Sequence, residues 1–264
     1  MKKLANRVAI ITGGAMGNGL GTAQVLAKQG ATVILLDYHE SVTEAANNLV
    51  QQGLKAESYT VDIRDANALK QIAESVVKKY HKVDILVNNA GVCHIVPFLE
   101  TSEEIRDRTF DINIKGTWNV TYAFLPYMLK ANYGKIVNLS SVTGTMVADA
   151  GEAAYATSKA AISGFTKALA MEVATHNITV NSVCPGYIAT PMAESIAKES
   201  NQSNPQKVLD GIAAAIPMRR LGTIEELGDL VAFLASDESR YITGTQIVID
   251  GGSTLPESFG AVGV

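Results

Sequence analysis

Tyr155 and Lys159 stand four residues apart in the segment AAYATSKAA. On a helix, side chains at i and i+4 share one face, so the ammonium would lie beside the phenol. A phenol titrates near pH ~10, and each unit of downward shift represents roughly 1.4 kcal/mol of preferential stabilisation of the phenolate. A fixed cation is the simplest source of such a shift, and it makes the tyrosine a proton donor or acceptor near neutrality. The same spacing also suits a core ring with a lysine reaching past it to water. The rest of the chain decides between them.

A second group of residues binds rather than reacts. Thr12-Gly13-Gly14-Ala15-Met16-Gly17-Asn18-Gly19 follows a β-branched run and precedes an amphipathic stretch. Glycines there let the backbone turn tightly and approach a pyrophosphate, whose charge the amides of a following helix favour. The spacing is Thr-Gly-x-x-x-Gly-x-Gly, which differs from the commoner Gly-x-Gly-x-x-Gly. Asp37, in ILLDYHE, lies at the end of the next strand. A carboxylate at that point accepts hydrogen bonds from a ribose diol and repels a 2′-phosphate. Ala15 and Met16 supply no cation to hold that phosphate, so NAD is expected over NADP. An ordinary turn at either place is the plainer alternative.

Both groups need a scaffold, and its rhythm is legible. Arg7–Thr12, Thr32–Asp37, Ala56–Val61, Val83–Asn88, Lys135–Ser140, Thr179–Cys184 and Gln246–Asp250 read as strands, apolar nearly throughout. Strands covered on both faces have that composition. Leu20–Gln29, Val42–Gln52, Ala66–Tyr80, Glu103–Ala131, Tyr155–Thr175 and Ile224–Ala235 read as helices. Such β-α alternation predicts an α/β fold, a doubly wound seven-stranded parallel sheet with helices on both faces. No linker divides the chain, so residues 1–264 are expected to form a single domain. The rhythm breaks at Thr190–Pro217, where mixed helical signals are interrupted by Pro205. This insertion follows the sixth strand, beyond the carboxyl ends where such sheets bind ligands, and is expected to be a substrate lid.

Composition excludes several functions. A net charge of −4 lacks the clustered Lys and Arg that nucleic-acid binding needs, so no nucleic-acid partner is expected. Cys93 and Cys184 lack metal-ligand spacing, so no metal is expected and a reducing, cytoplasmic setting is the simpler reading. The run in MKKLANRVAIITGG enters the glycine loop rather than a cleavage site and reads as strand one. No segment has the apolar length of a membrane span, so no membrane partner is expected.

Taken in order, these pieces resemble the single-domain branch of the short-chain dehydrogenase/reductase family, from Arg7 to Gly252. That resemblance implies a Rossmann-like fold and an NAD cofactor site. Thr12, Gly13, Met16, Gly17, Asn18 and Gly19 match the cofactor loop, followed by Asp37 and Tyr38. Asp62 and Ile63, in VDIRD, match the adenine contact. Asn89, Ala90 and Gly91 belong to an NNAG motif with Asn88, and Pro185, Gly186, Ile188, Thr190 and Met192 resemble the segment that grips the nicotinamide. Asn113, Ser141, Tyr155 and Lys159 match the catalytic tetrad, with Tyr155 and Lys159 also counted among the cofactor residues. Within the family, NNAGVC, DINIKGTWNVT, VTGTMVAD and CPGYIATPMAESIA resemble one bacterial oxidoreductase subgroup. Two departures stand out. Asn18 replaces a usual isoleucine, and the Ser141–Tyr155 interval is about one residue longer than is common, which the intervening loop can absorb. Ser140 competes with Ser141 for the serine role; Ser141 is preferred because Val-Thr-Gly follows it.

The implied reaction moves hydride between nicotinamide and a small alcohol or carbonyl substrate. Tyr155 would exchange the hydroxyl proton, with Lys159 and the nicotinamide charge lowering its pKa, and Ser141 would hold the substrate oxygen. Asn113 would hold a water that links Lys159 to solvent. Without the tetrad, Asn113 reads as an interruption of a long helix and Ser141 as the end of a strand. The substrate pocket is expected to draw on Cys93, His94, Met146, Val147, Tyr187 and Met192, with Ser141 and Tyr155 at its base. Both cysteines read as small buried hydrophobes. Asp149, Glu152 and Glu194 at its entrance would favour neutral secondary alcohols, polyols, ketones or aldehydes. Two alternatives compete: a catalytically silent nucleotide-sensing regulator, and a 3-oxoacyl-carrier reductase using NADPH. The resemblance further implies a homotetramer pairing the Glu103–Ala131 and Tyr155–Thr175 helices.

Overall fold

Seven short strands lie side by side, the central ones because both of their faces are apolar. They are β1 (Val8–Thr12), β2 (Thr32–Asp37), β3 (Lys55–Thr60), β4 (Ile85–Asn88), β5 (Gly134–Leu139), β6 (Ile178–Pro185) and β7 (Gln246–Ile249). All run parallel in a computed structural model that describes residues 2–256, in the order β3-β2-β1-β4-β5-β6-β7. The order reverses between β1 and β4, which opens a crevice above their carboxyl ends.

Successive strand residues face opposite sides. Ile11, Leu35 and Val87 pack under α1 (Gly17–Lys28), α2 (Val42–Gln51) and α9 (Ile224–Leu234). Ile10, Ile34 and Leu86 pack under α3 (Ala66–Tyr80), α5 (Thr117–Ala131) and α6 (Ala153–Val173). The single-domain, doubly wound architecture expected from the sequence is therefore present. Among the described residues, no helix is long and apolar enough to cross a membrane.

Three local expectations need correction. β3, KAESYT, is only partly buried: it is an edge strand and mixes polar with apolar residues. The stretch expected as one helix over 103–131 is α4 (Glu103–Phe110), a π-helical turn (Asp111–Gly116) and then α5. Gly116 lies so close to Ile63 that a Cβ would stand 2.4 Å from Ile63 Cδ1. Pro205 does not break a helix but begins one. Residues 190–217 fold as α7 (Pro191–Ser200) and α8 (Pro205–Ala215), each with proline in its first turn, where a missing N–H costs nothing.

A polar ladder ties the layers together beneath the crevice. Asn88 Nδ2 donates to Thr121 Oγ1 at 3.0 Å and to Asn138 Oδ1 at 2.8 Å, and Asn138 Nδ2 donates to Thr166 Oγ1 at 2.9 Å. These bonds join β4, β5, α5 and α6.

Candidate active site

The glycine loop is shaped for close approach. Gly13 and Gly17 have φ of +65° and +55°, values that other residues adopt only with strain. A Cβ on Gly19 would stand 2.0 Å from the carbonyl oxygen of Gly13. Met16 precedes α1 in an extended conformation and gives its first amides no side-chain cap. Those amides, with the helix dipole behind them, face the crevice as donors for an anion. Asn18 Oδ1 is buried there without a partner among the described residues.

Thr12 and Asn89 hold the loop in place. Thr12 Oγ1 accepts from the amides of Asn89 and Ala90, both at 3.0 Å, and Asn89 Nδ2 donates to Thr12 O at 2.9 Å. Asp37 is buried at the end of β2, where Oδ2 accepts from Ala15 N and Oδ1 from His39 N, both at 3.0 Å. Each oxygen keeps a second lone pair for a ligand. Tyr38 beside it is exposed. This glycine cradle, with free amides at one end and a fixed carboxylate at the other, fits the pyrophosphate and ribose of a dinucleotide.

Asp62 and Ile63 follow β3 at the end of the sheet where Asp37 stands. Both carboxylate oxygens of Asp62 bond to Arg64, with Oδ1 3.0 Å from Nε and Oδ2 2.5 Å from Nη2, and this pairing lowers its pKa. The side chain of Ile63 is buried against Gly116.

The acid–base pair sits on α6. Lys159 is buried, and its Nζ donates to Leu139 O, the last residue of β5, at 2.8 Å while lying 5.6 Å from the Tyr155 ring centroid. The Ser141 hydroxyl lies beside the Tyr155 phenol, whose pKa it lowers, and accepts from Thr143 N at 3.1 Å. Ser140 turns the other way: its hydroxyl donates to Lys159 O at 2.8 Å and so fastens α6 to the sheet. Consecutive residues at a strand end diverge, and that geometry brings Ser141 rather than Ser140 to the phenol.

Burial governs the electrostatics of the pair in the chain alone. In the chain alone the Tyr155 pKa is raised, first by burial and then by Cys93 and Glu152, against the lowering effect of the Ser141 hydrogen bond. Burial outweighs the one lowering contact, that of Ser141. Burial also pulls Lys159 down to about 8. A buried base whose folded pKa is depressed sheds its proton in the fold before it does so unfolded, so stability rises with pH across that interval. Relative to Lys159→Met, the wild-type protein is therefore expected to gain in Tm as pH rises from about 8 towards the ordinary lysine value of 10.5. Parallel Tm profiles of the two proteins would check this; a flat difference contradicts it.

Asn113 lies in the π-helical turn and is buried. Its Oδ1 accepts from Val92 N at 2.8 Å, while its Nδ2 donates to Val92 O and Ser158 Oγ, each at 2.9 Å. The side chain is thus a clamp between the loop after β4 and α6. Gly91 marks where Asn113 and Lys159 meet: a Cβ there would lie 3.3 Å from Asn113 Oδ1 and 3.6 Å from Lys159 Nζ.

The remaining expected residues frame the mouth. A Cβ on Gly186 would stand 2.8 Å from Asp250 Cβ, so Pro185-Gly186 crosses β7 closely. Ile188 is buried and bridges to Gly222. Thr190 caps α7 by accepting from Ala193 N at 3.3 Å. Pro191, at the start of α7, comes 3.9 Å from the position of a Cβ on Gly17, which sets the insertion against the glycine loop. The side chain of Met192 lies outside the described residues. His94, Met146, Val147 and Tyr187 are exposed. Met146 and Val147 line a shallow depression of about 390 Å³ with Ala156 and Thr157, and Tyr187 borders a smaller one of about 110 Å³ beside Met218 and Asp250. Neither depression includes Tyr155. Cys93 and Cys184 are free thiols whose pKa values burial raises, Cys93 to about 11, so they are inert at neutral pH. The sequence reading placed Glu152 only at the entrance. Thr143 lowers its pKa and it raises that of Tyr155, a proximity made by folding of the 141–155 loop and carried by no spacing signal.

The chain is similar to known oxidoreductases along its whole length. A family model described as enoyl-(acyl carrier protein) reductase matches residues 13–254. The bacterial subgroup that the motifs resemble is that of the UcpA oxidoreductases. Oxidoreductase UcpA of Salmonella typhimurium is 54% identical over 264 residues, covering 100% of both chains. The 3-oxoacyl-[acyl-carrier-protein] reductase FabG of Thermotoga maritima is 41% identical over 257 residues, which is 96% of this chain and 100% of that one. Cyclopentanol dehydrogenase of Comamonas sp. is 40% identical over 257 residues, or 96% and 99%. The solved structure of Thermoplasma acidophilum aldohexose dehydrogenase superposes with a TM-score of 0.91 at 30% identity, over 99% of each chain.

Proposed function

The chain belongs to the short-chain dehydrogenase/reductase family, and from that premise we propose that it is an NAD(H)-dependent oxidoreductase. It transfers hydride between nicotinamide and a neutral secondary alcohol or the corresponding ketone, or an aldehyde. The observation that carries this reading is the meeting of Ser141, Tyr155 and Lys159 beside the glycine cradle.

When bound, NAD supplies the hydride acceptor in oxidation and NADH the donor in reduction. The first amides of α1, at Gly17, Asn18 and Gly19, hold the pyrophosphate, and Asp37 takes ribose hydroxyls. Ala90-Gly91 and the Pro185–Thr190 segment border the nicotinamide half. Asp62 and Ile63 serve the adenine end. Tyr155 exchanges a proton with the substrate oxygen. Because burial raises its pKa, the phenol needs positive charge nearby to release that proton, and the Lys159 ammonium is the chain's own source. Thr143 N occupies one lone pair of the Ser141 hydroxyl, which leaves its hydrogen to be donated to the substrate oxygen as charge develops there. Asn113 and Ser158 set the position of α6 against the loop after β4. Helices α7 and α8 form the lid.

The preference for NAD rests on Asp37, which would face a 2′-phosphate from a fixed position. Wild-type protein is expected to bind NADH about tenfold or more tightly than NADPH, and Asp37→Ala to reduce that ratio towards one. Fluorescence titration with both cofactors would check it, and tighter NADPH binding by wild type would overturn the preference. The FabG relative favours a second reading, a carrier-linked reductase. The net charge of −4 opposes it, since acyl carriers that are themselves acidic would be repelled. A spectrophotometric screen of neutral alcohols with NAD, and of a 3-oxoacyl thioester with NADPH, separates the two. Loss of the alcohol activity in favour of the thioester would sink the first reading.

The protein is also proposed to be a cytoplasmic homotetramer. Its free thiols fit a reducing compartment. Trp118 and Tyr122, one turn apart on α5, are 58% and 76% exposed, and the Trp118 ring lies 5.3 Å from that of Phe165 on α6. An apolar surface of this kind is suited to burial between copies. Light scattering would count the chains.

A further inference from the structure

The π-helical turn Asp111–Gly116 joins α4 to α5 and carries Asn113. Such geometry is rare, comes as single turns and recurs at functional sites. A side chain from the loop after β3 fills the notch in this one. Ile63 is buried, and a Cβ on Gly116 would stand 2.4 Å from its Cδ1 and 2.6 Å from its Cγ1. Position 116 therefore admits Ile63 only while it lacks a side chain. Hydrogen bonds hold the two segments in this register. Asn119 Nδ2, in the first turn of α5, donates to Ile63 O at 3.2 Å and to Arg64 O at 3.3 Å.

From the turn, further bonds run to the acid–base pair. Thr117 Oγ1 donates to Asn113 O at 2.9 Å. The Asn113 amide is divided between Val92, on the loop after β4, and Ser158 on α6. Ser158 stands between Tyr155 and Lys159, and its hydroxyl donates to Tyr155 O at 2.7 Å. One residue of helical register rotates a side chain by about 100°. A change in the turn would therefore swing Asn113 away from both of its partners.

We propose that Ile63 and Gly116 form a keyed joint that sets Asn113 and, through it, the placement of Tyr155 and Lys159. Both are positioning residues for the proton transfer, an inference that rests on the dehydrogenase reading above. The loop that serves the adenine end thus also braces the catalytic helix. A displacement of about 1 Å at a reacting group can cost about 10²-fold in rate. Gly116→Ala forces such a displacement, because swinging Cδ1 aside leaves Cγ1 of Ile63 still 2.6 Å from the new methyl. The β-branched side chain is stiff at χ1, so it does not turn freely out of the way. Ile63→Ala removes both atoms and reopens the space.

The test compares wild type, Gly116→Ala and the double variant Ile63→Ala/Gly116→Ala. Hydrogen exchange of the peptide that contains Val92, followed by mass spectrometry, reads the clamp, since the Val92 amide donates to Asn113 Oδ1. The β4 peptide, Ile85–Asn88, reports opening of the sheet. Gly116→Ala is expected to speed exchange at Val92 about tenfold or more, with β4 unchanged. At saturating NAD it should lower kcat by about tenfold or more for a secondary alcohol that wild type oxidises, with KM for NAD within about threefold. In the double variant, Val92 exchange and kcat should both return to within about threefold of wild type. A merely destabilised protein loses protection in β4 as well and is not rescued by deleting a second buried side chain. Wild-type exchange and kcat in Gly116→Ala, protection lost equally in β4, or a double variant no better than Gly116→Ala overturns the inference and leaves the dehydrogenase reading in place. If wild type binds NADH but oxidises none of the neutral alcohols, that reading fails and the role in proton transfer falls with it, while the exchange rates still decide the joint.

Discussion

Tyr155→Phe is expected to lower kcat by about 10²–10⁴-fold in both directions, with NADH affinity kept within a few-fold of wild type. The ring stays, so the half-buried packing at the head of α6 is preserved. What goes is one oxygen, the group proposed to exchange the proton, which lies beside Ser141. A role confined to packing would leave kcat nearly unchanged. A role in holding the cofactor would move affinity and turnover together. Steady-state rates measured beside an NADH titration distinguish the three. A variant within tenfold of wild-type turnover would remove Tyr155 from the chemistry.

Gly19→Ala is expected to weaken NADH binding by about two orders of magnitude or more, because the pyrophosphate cradle cannot keep its shape. The added methyl would stand 2.0 Å from Gly13 O and 2.6 Å from Asn89 Nδ2. The first contact is backbone, so either the loop or the first turn of α1 must move. Asn89 Nδ2 also donates to Thr12 O, so the shift reaches the tie between the loop and β4. Overpacking of this kind costs about 1–3 kcal/mol, and a lower Tm should accompany the weaker binding. The variant's Tm and its NADH titration check both parts; wild-type affinity would show that the loop does not cradle the cofactor.

The sheet was legible in the sequence because its central strands are covered on both faces and carry continuous apolar runs. β3 was legible only by position, since an edge strand carries no such signal. The π-helical turn was hidden because DINIKG fits a helix of any register. It takes the approach of Gly116 to Ile63, distant in sequence, to show what that turn accommodates. Pro205 misled for a similar reason: a proline ends or begins a helix depending on which side its partners lie. At the site, the identities of Tyr155, Lys159 and Ser141 could be read from spacing and resemblance, but their energetics could not. Whether a phenol is raised by burial or lowered by a cation depends on its surroundings, and only packing supplies those. Asn113 likewise announced itself by type, while its task as a clamp between Val92 and Ser158 required the fold. Glu152 announced nothing beyond a charge near the mouth.

Hydride transfer itself can be followed by isotope. Wild-type protein would be incubated with NAD and a panel of secondary alcohols deuterated at the carbinol carbon. The nicotinamide product would then be weighed by mass spectrometry. The predicted result is NADH carrying one deuterium, formed by wild type and not by Tyr155→Phe. Carbonyl product without deuterium in the cofactor, or label transferred equally well by Tyr155→Phe, would contradict the account.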